Sequence, residues 1–271
     1  MSGDSYMLGH HAEERERLVF QDEVWVRETE DFLDRLGIAP GSRVLELGCG
    51  IGLGLPRLAR RVGPGGRVIG WERNRGYAEE SRRLIEGQGL SQVELRMGDL
   101  ERDPLPEGPF DAIYARWVFS YLPRVATVLA KLRPLLAPHG RLGILDYNHD
   151  SIRVFPKAPE FAAVIEAVRK WFAVSGGDCW VTGFLPGYFA ETGYALVEMW
   201  SYSRAGPPRS PVYRWVEEFL FVQGPAMIRA GVLSQDDWGR FRQEWETMAI
   251  APDTVLFSPL QVGVIGRVET P

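Results

Sequence analysis

The sequence predicts an α/β fold with a doubly wound, mostly parallel sheet, on three observations. Short leucine-rich and β-branched runs recur between residues 43 and 147, helical stripes separate them, and closely spaced glycines follow the first run. Apolar runs without polar alternation are strands covered on both faces. Strands that alternate with helices assemble into an open sheet with helices on either side, and ligands of such sheets bind at the strands' carboxyl ends.

Each element has its own signal. In residues 12–36, Leu18, Trp25 and Phe32, with Val19, Val26 and Leu33 beside them, recur every seven positions and predict an N-terminal helical segment, with the EERER run at 13–17 on its wet side. Gly37, Pro40 and Gly41 close that segment. The strands are expected at RVLELG (43–48), RVIGWE (67–72), VELRMG (93–98), FDAIYA (110–115) and RLGILDY (141–147). Val125, Val128, Leu129, Leu132, Leu135 and Leu136 form the helical stripe between the last two. Further on, Phe161, Val164, Ile165, Val168, Trp171 and Phe172 mark another helix, and FLPGYFAETGYALVEMW reads as helix, glycine turn and strand. A second helical block carries Val212, Trp215, Val216, Phe219 and Leu220 and precedes a last strand near 254–269, while AGPPRS at 205–210 reads as a loop.

Composition narrows the function classes. Apolar residues make up 45% and charged residues 25%, which fits a globular chain and excludes disordered, collagen-like and coiled-coil readings. Lys and Arg number 31 against 36 acids, a net charge of -5 that disfavours a nucleic-acid partner. Cys49 and Cys179 stand too far apart in sequence for a C-x-x-C site, and no other cluster has metal-ligand spacing, so neither a disulfide framework nor a metal is expected. No apolar stretch approaches a membrane span, and MSGDSYMLGHHAEERERL lacks the marks of a secretory leader, so a cytoplasmic location is expected.

The strongest local signal is Val44-Leu-Glu-Leu-Gly-Cys-Gly-Ile-Gly-Leu-Gly54, a buried strand running into a glycine loop and then the helix PRLARRV. Glycines let a ligand lie against the backbone, and the following helix offers free N–H groups. A nucleotide-like ligand is implied. A dinucleotide fingerprint requires Gly-x-Gly-x-x-Gly, but the sixth position counted from Gly48 or Gly50 is Leu53 or Leu55, which weakens a nicotinamide reading. A phosphate-binding P-loop is excluded because no Gly-Lys pair exists.

The E-x-G-x-G-x-G pattern after a first strand resembles the cofactor loop of class I S-adenosylmethionine-dependent methyltransferases. The resemblance extends to Glu72 at the end of the second run, to Gly98-Asp99-Leu100, to FDAIYARWVFSYLP at 110–123 and to LRPLLAPHGRLGILDY at 132–147. It implies a seven-stranded Rossmann-like sheet with N-terminal helices and a helical insertion near the C-terminus. By the same resemblance, Gly48, Gly50 and Gly52 cradle S-adenosylmethionine, Glu72 with neighbouring Arg73 meets the ribose, and Asp99 and the Leu100 N–H meet the adenine. Tyr6 and GHHAEERERLVFQ at 9–21 look like the opening of the small-molecule branch that includes quinone and natural-product methyltransferases, which implies that Tyr6 and Gln21 reach the cofactor's methionine end. Two departures exist. Ser120 and Tyr121 stand where many relatives carry histidine, which leaves the substrate type open, and the usual Pro-Gly-Gly turn is Pro138-His139-Gly140.

Residues 1–271 are accordingly expected to form one methyltransferase domain, with a helical cap at 1–37, a cofactor-binding core at 38–150 and a helical insertion at 205–253. Two readings of the insertion stand side by side, a helical pair covering the sheet edge and a lid over the substrate pocket. Glu46 is a candidate to orient the glycine loop or bind the cofactor's amino group, against the plain reading of a strand-end acid capping nearby N–H groups. Arg116 is a candidate for the cofactor's carboxylate. His149, in DYNHD after the fifth run, is the candidate base, and a solvated loop histidine is the plainer alternative; Asp146, Tyr147 and Asp150 share that ambiguity. Trp117, Tyr121 and Asn148 are candidate substrate contacts. The expected activity is methyl transfer to a small hydrophobic or aromatic metabolite at carbon, oxygen or nitrogen. The alternatives are a non-catalytic S-adenosylmethionine-binding protein and a nicotinamide-dependent oxidoreductase. A homodimer through the insertion is left open.

Overall fold

The computed structural model describes residues 12–268. These divide into two compact units, one made of residues 27–146, 181–200 and 262–268 and the other of 12–26, 147–180 and 201–261.

The first unit is built around a seven-stranded sheet. Its strands are β1 (Arg43–Leu47), β2 (Arg67–Glu72), β3 (Val93–Met97), β4 (Phe110–Arg116), β5 (Leu136–Asn148), β7 (Tyr194–Tyr202) and β10 (Leu260–Val268), in the order β3-β2-β1-β4-β5-β10-β7. The pairs β1/β2, β1/β4, β2/β3 and β4/β5 are all parallel. The order reverses at β1, so the carboxyl ends of β1 and β4 form the point where such sheets bind ligands. The helices of this unit are α2 (Val26–Leu36), α3 (Leu55–Val62), α4 (Arg75–Gly87), α5 (Val125–Leu132) and α7 (Val181–Thr192). Close packing depends on small residues in the strands. A Cβ on Gly143 would stand 2.9 Å from both Leu36 and Phe32 of α2. Pro134 lies in the short 3-10 turn Arg133–Leu135 that follows α5, where its missing N–H ends the helix earlier than the leucine stripe suggests. His139, within β5, takes a φ of 66°, the left-handed conformation that glycine adopts most readily.

The second unit contains α1 (Ala12–Val24), α6 (Pro159–Val174), α8 (Pro211–Arg229) and α9 (Gln235–Met248). Beside them lies a small sheet, β6 (Arg153–Phe155), β8 (Ala205–Gly206) and β9 (Val255–Phe257), in which β9 is central and antiparallel to both neighbours. Its apolar interior is aromatic: Tyr213 and Phe161 both stack on Trp245, at 4.5 and 5.7 Å.

Two sequence expectations change here. Residues 12–36 are two helices, broken at Trp25, and the buried face of α1 is polar: Glu14, Arg17, Gln21 and Asp22 are buried, whereas Leu18 and Val19 are half-buried. The EERER run is therefore only partly a wet face. Arg17 donates to both oxygens of Glu14 at 2.8 and 2.7 Å and to Gln21 Oε1 at 2.8 Å; Gln223 of α8 completes the cluster by donating to Glu14 at 2.9 Å. Charges can be buried in this way only because each is paired and hydrogen-bonded. The second change is at 205–210, where Ala205–Gly206 pairs with β9 and Ser210 caps α8 by accepting the Tyr213 N–H.

Candidate functional site

In the sheet unit, the segment after β1 is shaped by its glycines. Gly50 has a φ of 58°, and a Cβ built there would meet nothing within 4 Å, so one side of the loop is open. Gly54 is needed for a different reason: its Cβ would fall 2.2 Å from Glu46 Oε1, so the buried Glu46 side chain fills the space under the loop. Glu46 thus lies directly against the loop at Gly54. Gly48 lies against Val118, whose Cγ2 would be 2.7 Å from an added Cβ.

Glu72 links the loop to the second strand. Its Oε2 accepts the Gly50 N–H at 2.9 Å and its Oε1 accepts the Asn74 N–H at 2.8 Å. Burial pushes the Glu72 carboxyl up, and the two N–H bonds oppose that shift. Asn74 in turn caps α4 by accepting the Tyr77 N–H, and Ser81 donates to the Gly50 carbonyl at 2.7 Å. One contact from α4 and one carboxylate thus hold the loop by the backbone of Gly50. Cys49 is buried between these acids, and burial pushes its thiol up, so it is inert.

Asp99 follows β3. Its Oδ1 accepts the Glu101 N–H at 2.8 Å, and Oδ2 stands 3.9 Å from Arg73 Nη1, with the side chain 24% exposed. Leu100 is buried, and its carbonyl accepts from Lys131 at 2.8 Å. After β4, Arg116 lies over the Trp117 ring at 4.5 Å and donates to Thr29 Oγ1 at 2.8 Å. Trp117 has a φ of 56°, a conformation that costs a bulky residue energy and that its surroundings must impose. The constraint is visible: the Trp117 N–H donates to the Leu145 carbonyl at 2.9 Å, and Asp146 Oδ2 accepts the N–H groups of Val118 and Ser120 at 3.0 and 3.2 Å. Asp146 is a residue whose role the sequence did not separate from those of its neighbours. Tyr121 closes the 3-10 turn Phe119–Tyr121 that follows.

The remaining candidates belong to the second unit. Gln21 Oε1 accepts from both Arg17 and Trp215 Nε1, the latter at 3.0 Å, so its oxygen is already engaged. Asn148 Oδ1 accepts the Asp150 N–H at 3.1 Å, a local turn. His149 is buried between Tyr147 and Phe172, with ring centroids 5.7 and 6.0 Å away. Burial, with the Arg169 charge as a smaller cause, holds its pKa down to about 3, so the ring is neutral at physiological pH. Its Nδ1 has no hydrogen-bond partner among the described residues, a condition that costs about 1–3 kcal/mol in a folded protein. Tyr6 lies outside the described residues.

The donor set of the sheet unit fits S-adenosylmethionine. The open side of Gly50 admits a ligand against the backbone, the buried Glu72 carboxylate suits a pair of hydroxyls, and Asp99 presents a partly exposed acid for an amine. Among the described residues no group of His, Cys, Asp and Glu could hold a metal ion, and no helix is long and apolar enough to cross a membrane.

Comparison with known proteins gives the same answer. Residues 44–140 match a family model described as a methyltransferase domain. Nocamycin O-methyltransferase from Saccharothrix syringae is 33% identical over 138 residues, 50% of this chain and 49% of that protein. Demethylmenaquinone methyltransferase from Lactococcus lactis is 27% identical over 157 residues, 57% of this chain and 61% of that protein. The chain thus spans about half of the first and three fifths of the second. Among solved structures, a phosphoethanolamine N-methyltransferase from Haemonchus contortus in complex with S-adenosyl-L-methionine shares the fold, with a TM-score of 0.58 at 14% identity, covering 93% of this chain and 56% of that one. Residues 44–140, with their glycine loop and strand-end acids, are thus similar to a methyltransferase domain.

Proposed function

We propose that the chain transfers a methyl group from S-adenosylmethionine to a small, hydrophobic or aromatic acceptor. The observation that carries this reading is the buried Glu72 carboxylate tied to the N–H of Gly50, beside a loop whose open side is bare backbone. In this reading Glu72 and Arg73 hold the ribose, Asp99 and Leu100 the adenine, and Arg116 the methionine carboxylate, with Gly48, Gly50 and Gly52 forming the floor. Gln21, whose oxygen is taken, has only its amide nitrogen to offer. When bound, the cofactor supplies a methyl already activated on sulfur, so the protein's task is alignment and exclusion of water.

The residues beyond the cofactor set serve that alignment. Asp146 and the Leu145 carbonyl hold the segment after β4 rigid, and with it Trp117, Tyr121 and the loop contact of Val118. His149 is the proposed base for an enol or phenol and is dispensable for an amine; neutral in the free protein, it accepts a hydrogen bond from the acceptor's O–H and takes the proton only if the bound acceptor raises its pKa from about 3. The aromatic character of the second unit, where Tyr147 stacks on Trp215 at 6.3 Å, suits an apolar acceptor, and residues 205–253 are proposed to select it. The names of the relatives, one acting on a natural product and one on a quinone precursor, support a small-molecule acceptor.

The test is calorimetric titration of the full chain with S-adenosylhomocysteine and, separately, with NADH. Binding of S-adenosylhomocysteine alone near the micromolar range, about -8 kcal/mol, and weakened in Glu72→Ala, is the expected result. Binding of NADH alone would overturn the reading.

A further inference from the structure

Two buried nitrogens in the second unit have no hydrogen-bond partner among the described residues, and they belong to adjacent groups: Nδ1 of His149 and Nε of Arg169. The Arg169 guanidinium is anchored on the same residue, since its Nη2 donates to the His149 carbonyl at 2.7 Å. The other side of this pair is fixed as well. The His149 N–H donates to the Cys179 carbonyl at 3.1 Å, and the Trp180 ring lies under Arg169 at 5.2 Å while its Nε1 donates to Asp150 at 2.7 Å. Tyr147 and Phe172 supply apolar faces beside the imidazole. Both nitrogens are themselves buried, while the Arg169 side chain as a whole is 24% exposed.

A neutral imidazole and a guanidinium, both with a free nitrogen, have one chemical complement in common: an oxygen that carries or can release a proton. We infer that His149 Nδ1 and Arg169 Nε form a subsite for an acidic oxygen of the methyl acceptor, a carboxylate or an enol or phenol oxygen on a flat unsaturated body. This rests on the methyltransferase reading above and deepens it by naming the acceptor class and a specificity residue, Arg169. An acid O–H that enters donates a hydrogen bond to Nδ1 while its oxygen accepts from the Arg169 Nε–H, so the proton stays on the oxygen until the methyl is transferred. A carboxylate that enters already charged accepts from the Arg169 Nε–H and, with the ring proton on Nδ1, from neutral His149 as well. The other charged groups here are Glu166, which faces Arg169 Nη1 at 3.5 Å, and Asp150, held by Trp180.

The experiment uses the full chain saturated with S-adenosylhomocysteine and three probes of one shape: 1-naphthoate, 1-naphthol and the uncharged 1-naphthamide. Wild-type protein is expected to bind at least one of the two acidic probes about tenfold or more tighter than the amide. Preference for naphthoate identifies a carboxylate handle, and preference for naphthol identifies the reacting oxygen itself. In Arg169→Gln and His149→Phe the preference should fall to about twofold or less while S-adenosylhomocysteine binds as before. Equal binding of all three probes to wild-type protein overturns the inference without any variant, and so does an unchanged preference in folded variants. Failure of S-adenosylhomocysteine to bind wild-type protein would instead remove the methyltransferase reading, and the probes compared without it would still decide the subsite.

Discussion

Asp146 Oδ2 accepts the N–H of Val118 at 3.0 Å, and because Val118 lies against Gly48 this one carboxylate oxygen stands behind both the segment after β4 and the glycine loop. The same oxygen accepts the Ser120 N–H at 3.2 Å, and the residue is fully buried. Replacing it with alanine strands two buried N–H groups. Asp146→Ala is expected to lose about 2–4 kcal/mol in urea unfolding, and Asp146→Asn, which keeps an acceptor oxygen, to lose less than half as much. Equal losses for the two would show that the acceptor oxygen is not what matters.

Gly50 combines a left-handed φ with open space, so its substitution separates strain from obstruction. Gly50→Ala is expected to cost about 1–2 kcal/mol of stability from the backbone alone. The added methyl enters the open side of the loop, and S-adenosylhomocysteine affinity should fall about tenfold or more by calorimetry. A stability loss with unchanged affinity would mean that the ligand does not lie there.

His149 ties stability to acidity. Its folded pKa, about 3, lies below the ordinary 6.5, so the unfolded chain binds a proton that the folded chain refuses. The contribution is fully present above about pH 6.5 and is lost as pH falls toward 3, where stability no longer depends on this group. Between about pH 7 and 5 it should amount to about 2 kcal/mol. Denaturant midpoints measured across that interval should fall more for wild-type protein than for His149→Phe; parallel slopes would show a ring that protonates freely.

The buried pair of Glu14 and Arg17 makes a prediction about coupling. Arg17→Met leaves a buried carboxylate without its guanidinium and should cost about 3–5 kcal/mol. Adding Glu14→Gln to that variant should restore part of the loss, because the charge left behind is gone. A double-mutant cycle by chemical denaturation measures this, and strict additivity would contradict it.

What could be read before the structure follows from which interactions are local. The end of β2 at Glu72 and the start of the loop at Gly48 come directly from a hydrophobic run and its punctuation, and both stand where expected. The polar face of α1 was misread because periodicity assigns apolar residues to the interior, and Glu14, Arg17 and Gln21 are buried through Gln223 and Trp215, about 200 positions away in sequence. Asp146 could not be told from Tyr147 and Asp150 for a related reason: its partners are the N–H groups of Val118 and Ser120, on another strand's end, and backbone groups leave no trace in side-chain identity. The small sheet of β6, β8 and β9 escaped because strands of two or three residues carry no period.

The 2.2 Å approach that a side chain at position 54 would make to Glu46 binds two positions of the sequence into a single choice. A methyl at position 54 has to push the Glu46 carboxylate aside, so a long acid at position 46 and a side chain at position 54 compete for one space under the loop. Anyone redesigning this loop therefore has to consider the two positions together.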